Sequence, residues 1–339
     1  MTPQSARPTV VLAMAPALTP DLFSPALRER LEKLASVADP EPLTRFDDAR
    51  AARLLPRADV LLTGWGCPRI DAAVLDHAPR LRAILHAAGT VKGHVAEDAW
   101  ARGVRVCSAA AANAVPVAEY TVAAILLAGK RAFRLQRLYR DLRGFRLWPN
   151  EVPPLGNLGR TVGIVGASRI GRLVLERLRP FDFVRLLADP TIDPADARAL
   201  GAEGVPLDDL LRRADIVSLH APLLPETHGL LDRRRLGLLR DGAVLINTAR
   251  GGLVDGDALT EALVAGRIDA VIDTTEPEIL PADSPLYELP NVFLTPHIAG
   301  AMGAETQRLA ALALDELERF TRGEALHHEV LREDLARIA

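Results

Sequence analysis

Short runs of β-branched and aliphatic residues recur along the chain, each followed by a longer stretch with helical spacing. That alternation restricts the fold more than any other feature. In the first half the runs fall at residues 9–14, 59–63, 82–86 and 104–107. In the second they fall at 161–165, 184–188, 215–219, 243–247, 269–273 and 291–295. Near-continuous apolar strands separated by helices predict α/β architecture, with parallel sheet covered on both faces. The six runs of the second half predict one doubly wound sheet of the dinucleotide-binding kind. A helix over 24–37 is expected, with Ser24 as its cap and Pro25 at its first position, and a last helix over 305–321 stops at Gly323.

At roughly 150 residues per domain, a chain of 339 residues suggests two domains. Its 41 basic and 44 acidic residues leave no excess of positive charge for wrapping nucleic acid, so no nucleic-acid partner is expected. Of the basic residues only Lys33, Lys92 and Lys130 are lysines, a bias that carries no functional weight. Cys67 and Cys107 are too few for a disulfide framework and lack metal-ligand spacing, so no metal is expected and a reduced, cytoplasmic setting is the default. The apolar segment 10–18 reads as a buried strand, then a turn and a helix, in preference to a signal-peptide core, because Pro16 interrupts it. The next apolar stretch, 122–128, is far short of a membrane span, so no membrane association is expected.

Residues 113–143 read as a long, interrupted helix, and 148–157, with three prolines and two asparagines, as a loop. Arginines at 131, 134, 137, 140, 143 and 146 step by three, so they wind around a helix instead of lining one face. They read as a solvated, partly paired surface.

The segment Thr161-Val-Gly-Ile-Val-Gly166-Ala-Ser168-Arg169-Ile170-Gly171 is a strand, a tight turn and a helix start. Helix N-terminal amides can hold a pyrophosphate there. A three-glycine fingerprint needs glycine at 168; the serine restricts backbone approach, although its hydroxyl can donate to phosphate. Asp189 ends the next strand, 18 residues after Gly171. Its carboxylate can accept from a ribose and would repel a 2′-phosphate, which favours NAD over NADP.

Ligands of open α/β sheets bind beyond the carboxyl ends of the strands. Those ends carry His220, Asn247-Thr248-Ala249-Arg250, Asp273 and Thr295-Pro296-His297, with Glu278 five residues after Asp273. An arginine, two histidines and two acids thus gather beside the expected cofactor.

These segments resemble the D-2-hydroxyacid dehydrogenase family, which includes D-3-phosphoglycerate dehydrogenase and hydroxypyruvate reductase. The likeness lies in residues 158–171, DIVSLHAPL from Asp215, GAVLINTARGGLVD to Asp255 and PNVFLTPHIAG to Gly300. It extends to PRLRAILHAAGTVKGHV from Pro79 and NAVPVAEY to Tyr120, hence over most of the chain. The resemblance implies that Arg250, Glu278 and His297 are catalytic, that Asp273 positions the nicotinamide, and that Arg169 and Ile170 contact the phosphates. Gly166, Ser168, Gly171, Asp189, His220, Thr248, Ala249, Arg250, His297 and Gly300 would complete the NAD site. Ala88 and Gly89 would offer amides to the substrate carboxylate, with Arg250 opposite it and Asn113 nearby. In 273–279 the chain departs from the family pattern, which leaves Glu276 as a rival to Glu278; an ungapped count from Asp273 selects Glu278.

The resemblance further implies a doubly wound Rossmann domain, 113–301, inserted into a smaller flavodoxin-like substrate domain of 1–112 and 302–339. It implies a 2-keto or 2-hydroxy acid substrate and a homodimer formed through an arm at 131–152. In hydride transfer to a ketone, His297 suits proton donation to the developing alkoxide, since an imidazole titrates near neutrality. Glu278 would favour imidazolium and orient the ring. Arg250 suits the substrate carboxylate through its donor fork. Two other functions share these motifs: an NAD-sensing, corepressor-like binding protein, and a dehydrogenase acting on formate or phosphite.

Overall fold

The structure is a computed structural model that describes residues 7–152 and 154–335. The chain separates into two compact units, one of Met1–Asn113 with Ala301–Ala339 and one of Ala114–Gly300.

In the first unit, β1 (Thr9–Ala13), β2 (Ser36–Val37), β3 (Val60–Thr63), β4 (Ala83–His86) and β5 (Arg105–Ser108) form a parallel sheet of order β2-β1-β3-β4-β5. That is the flavodoxin-like order. Alternate residues feed opposite faces. Val10, Leu12, Leu62 and Leu85 pack on one side with Leu31, Leu309 and Leu314; Val11, Leu61, Ile84 and Val106 pack on the other with Leu54 and Leu75. The 10–18 segment accordingly supplies β1 and a short 3₁₀ turn, Pro16–Leu18. Cys67 and Cys107 are both buried and unpaired.

The helix expected over 24–37 is shorter, Pro25–Leu34, because Ser36 and Val37 pair with β1 as a strand. Ser24 occupies the cap position without a side-chain capping bond. At the other end of the unit the Gln307–Arg322 helix stops at Gly323, whose φ of 69° is the left-handed cap conformation.

The second unit holds β6 (Thr161–Val165), β7 (Val184–Ala188), β8 (Glu203–Gly204), β9 (Ile216–Leu219), β10 (Val244–Asn247), β11 (Asp269–Ile272) and β12 (Val292–Leu294). All are parallel, in the order β12-β11-β10-β9-β6-β7-β8. The strand order changes direction between β6 and β9, the switch point at which such sheets bind ligands. Val162, Ile164, Leu187, Ile216 and Ile246 fill one face; Val165, Leu186, Val217, Leu219 and Leu245 fill the other.

The interrupted helix consists of Ala110–Gly129 and Ala132–Leu142. The first has the length and apolar composition of a membrane span, but Ala118, Ala124, Ile125 and Ala128 pack on the sheet of the second unit, the ordinary position of a core helix. The break falls at Arg131, with φ 52°. Here the solvated-arginine reading needs correcting: Arg131 is buried, its Nη1 2.9 Å from Oδ2 of Asp269, and its Nη2 donates to the Gly242 carbonyl. The turn that breaks the helix aims Arg131 at the foot of β11, where Nη1 of Arg134 also reaches Oδ1 of Asp269 at 3.2 Å. Arg140, Arg143 and Arg146 are exposed. Within the expected loop, Trp148–Glu151 forms a single helical turn.

Candidate active site

The glycine loop follows β6 at the switch point. Gly166 has φ 100°, and a Cβ there would lie 2.6 Å from the Ala221 nitrogen beyond β9, so a side chain is excluded twice. Ser168 departs from the fingerprint without strain: its backbone is extended, and its Oγ accepts from the Gly171 N–H at 3.3 Å as the N-cap of Arg169–Arg177. The serine therefore begins the helix instead of obstructing it, and its own hydroxyl proton stays available. The N–H groups of Arg169 and Ile170, in the first turn, have no acceptor among the described residues. A helix start of this kind suits a pyrophosphate.

Asp189 follows β7 directly, beside the loop. Its Oδ2 accepts from the Ala167 N–H at 2.6 Å, and its Oδ1 from the Thr191 N–H and hydroxyl at 2.8 and 2.6 Å. His220 ends β9. Its Nε2 lies 2.9 Å from the Ser218 hydroxyl, while Nδ1 is buried with no partner among the described residues. Burial pushes His220 down to about 3, so its ring is neutral. The donor-rich helix start, the cramped glycine cradle, the orphaned imidazole nitrogen and the strand-end acid together fit an adenine dinucleotide.

The remaining strand ends bring together the residues singled out for chemistry. The backbone at Gly251, next to Arg250, packs so closely on Thr275 and Glu276 that a Cβ there would overlap them. Arg250 Nη1 donates to the Ala249 carbonyl at 2.7 Å. Burial draws the Arg250 guanidinium below its ordinary range, and the charge of Glu278 opposes that shift. A partly desolvated guanidinium gains most from an incoming anion. Thr248 is turned away, its hydroxyl 2.9 Å from that of Thr121.

Glu278 Oε1 lies 2.5 Å from Nδ1 of His297, and both side chains are about half exposed. Glu276 points elsewhere, 3.2 Å from Nε2 of His228. Asp273 is 2% exposed, and its carboxylate is held by the segment it faces. Oδ1 accepts from the Thr295 hydroxyl at 2.6 Å and the Ile298 N–H at 2.8 Å; Oδ2 accepts from the Ala299 N–H at 2.9 Å. Gly300, the last residue of the second unit, makes no side-chain contribution.

In the first unit Ala88, Gly89 and Asn113 are neighbours. The N–H groups of Ala88 and Gly89 have no acceptor among the described residues. The Gly89 carbonyl accepts from the Ser108 hydroxyl at 2.8 Å. Asn113 Oδ1 accepts from the Ala301 N–H at 2.9 Å, which leaves its amide nitrogen toward Gly89. Sequence reasoning missed Ser108, and it missed Tyr120 and Thr121 as contributors. Nothing in a helical pattern marks a tyrosine or a threonine whose partner lies more than a hundred positions away.

A seven-stranded doubly wound sheet with this loop and this strand-end set is the architecture of a nicotinamide-dependent dehydrogenase. Comparison with known proteins agrees. The family model for the D-isomer specific 2-hydroxyacid dehydrogenase, NAD binding domain, matches residues 122–299. The D-3-phosphoglycerate dehydrogenase of Mycobacterium tuberculosis is 38% identical over 269 residues, 78% of this chain, but the match spans only 49% of that relative's length. The glyoxylate reductase of Aeropyrum pernix is 34% identical over 313 residues, 90% of this chain and 93% of the relative. Among solved structures, the TT0316 protein from Thermus thermophilus is 34% identical with a TM-score of 0.77, covering 95% of this chain and all of that one. The chain belongs to the D-isomer-specific 2-hydroxyacid dehydrogenase family, and its cofactor is a nicotinamide dinucleotide.

Proposed function

We propose that the chain is an NAD-dependent dehydrogenase that interconverts a D-2-hydroxy acid and its 2-keto acid. The observation that carries this reading is the 2.5 Å contact between His297 and Glu278, in the same unit as a partly desolvated arginine. In the reduction, His297 gives a proton to the carbonyl oxygen as it becomes an alkoxide; in the oxidation, the neutral ring takes that proton back. Glu278 orients the ring through Nδ1, leaving Nε2 for the substrate. Arg250 binds the substrate carboxylate and polarises the adjoining carbonyl. Ala88, Gly89 and Asn113 supply further donors for the carboxylate. When bound, NAD supplies the hydride acceptor, and NADH the donor. Gly166, Ser168, Arg169, Ile170 and Gly171 would hold its phosphates, Asp189 its ribose, and His220, Thr248, Ala249, Asp273 and Gly300 the rest of the dinucleotide.

A homodimer formed through residues 131–152 belongs to the same proposal. Ala132–Leu142 has no buried residue, and Tyr139, Phe145 and Leu147 are 59%, 90% and 61% exposed. Aromatic residues beside arginines suit an interface better than open water. Two buried thiols without a disulfide fit a reducing, cytoplasmic setting.

The relatives' names point to glyoxylate and to phosphorylated three-carbon acids as first substrates to try. NADH absorbance followed across a panel of 2-keto acids, phosphorylated and not, tests the reading. NADH oxidation with at least one 2-keto acid supports it; turnover only with formate or phosphite, or none with any compound while NADH binds, contradicts it.

A further inference from the structure

The segment that carries His297 has no regular structure, and His297 itself has φ 55°, which a residue with a side chain adopts only when its surroundings impose it. The hydrogen bonds around it have forced directions. Asp273 donates nothing as a carboxylate, so the Thr295 hydroxyl, 2.6 Å from Oδ1, must donate to it. Having spent its proton, Thr295 Oγ1 can only accept from the Tyr120 hydroxyl, 2.9 Å away. Burial pushes the Tyr120 phenol above its ordinary range, which keeps that donor protonated. The chain runs one way, Tyr120 to Thr295 to Asp273, and the same carboxylate accepts the N–H groups of Ile298, on Oδ1, and Ala299, on Oδ2, the two residues that follow His297.

The next residue of the same helix does the equivalent for the other catalytic segment. Thr121, fully buried, meets the Thr248 hydroxyl at 2.9 Å, two residues before Arg250. Successive helical residues point about 100° apart, so adjacent positions reach two different strand ends.

We propose that Tyr120 and Thr121 are positioning residues, one turn of the Ala110–Gly129 helix fixing the His297 and Arg250 segments relative to each other. Neither side chain touches the reacting atoms. This inference rests on the proposed acid–base role of His297, but its first test does not need turnover. In a ¹H–¹³C spectrum of the imidazole Cε1–H groups, the His297 peak is identified by its loss in His297→Ala. Tyr120→Phe is expected to displace or broaden that peak while leaving those of the other seven histidines in place. Thr295→Val should do the same, and Thr295→Ser, which keeps the hydroxyl, should restore the wild-type spectrum.

With a 2-keto acid that is turned over, Tyr120→Phe and Thr121→Val should each lower kcat/KM about three- to tenfold, the worth of one neutral hydrogen bond, with NADH affinity unchanged. An unmoved His297 peak with wild-type kcat/KM in Tyr120→Phe overturns the role of Tyr120. Wild-type kcat/KM in Thr121→Val overturns that of Thr121. If His297→Ala keeps full turnover while Tyr120→Phe still moves the peak, the acid–base reading falls and the positioning by Tyr120 stands.

Discussion

His297 and Glu278 are 19 residues apart, both outside regular structure, and yet Nδ1 of one lies 2.5 Å from Oε1 of the other. The contact is assembled from two directions. β11 leads directly into Asp273, which holds the turn of His297 by three side-chain hydrogen bonds, and the chain leaving Asp273 returns Glu278 to the same imidazole. Among the described residues only Nδ1 of the ring is engaged, which leaves Nε2 for the proposed proton transfer.

The arrangement separates the two neighbouring acids by function. Glu278→Gln should lower kcat about 10- to 100-fold, the worth of a hydrogen bond to a charged partner, because the amide keeps the contact and loses the charge. Glu276→Gln, whose partner is His228, should change it less than twofold. Steady-state kinetics of both variants decide; the reverse pattern makes Glu276 the partner acid.

Asp189 is expected to select NAD(H) over NADP(H). Its carboxylate also accepts the Ala167 N–H inside the glycine loop, so Asp189→Ala should weaken NADH binding and narrow the preference together, each by about tenfold. Calorimetric dissociation constants for both cofactors check this. NADP(H) binding as tightly as NAD(H) in the wild type defeats the assignment.

Acid should loosen the fold through two buried histidines. Burial holds His86 and His220 down to about 3, with the nearby His94 also opposing protonation of His86. An unfolded histidine takes up a proton near 6.5, so below that pH the unfolded chain binds protons that the folded chain refuses. Stability is therefore full above about 7 and declines as pH falls, by up to about 1.4 kcal/mol per pH unit for each ring. Urea midpoints should drop between pH 7 and pH 5, and His86→Gln or His220→Gln should flatten the drop. A midpoint that does not change over that range contradicts the buried, neutral assignment.

Light scattering at micromolar concentration should give twice the chain mass. Phe145→Asp with Tyr139→Asp should shift the population toward monomer, since both side chains are exposed on the single chain. A monomeric wild type removes the proposed interface.

Much of this was legible in the sequence because parallel strands buried on both faces are short apolar runs whose ends can be counted. The ten runs correspond to ten of the strands, with ends moved by a residue or so. β2 and β8 were not legible: two residues have no periodicity, and their pairing depends on the edge strand beside them. Ser168 read as an obstacle because its capping geometry shows only once the helix start is fixed. Arg131 read as one of a solvated series, since its acid, Asp269, lies 138 residues away. Most of the residues proposed to do chemistry stand at strand ends, where the sequence also placed them. Tyr120 and Thr121, which hold those ends, could not be found in it, because their partners are 175 and 127 positions distant.

The most direct test of the account is the turnover of His297→Ala with NADH and a 2-keto acid that the wild type reduces well. The account predicts a loss of about 10²–10⁴-fold in kcat, the usual contribution of general acid–base catalysis, with the NADH dissociation constant little changed. Wild-type turnover in that variant would contradict it.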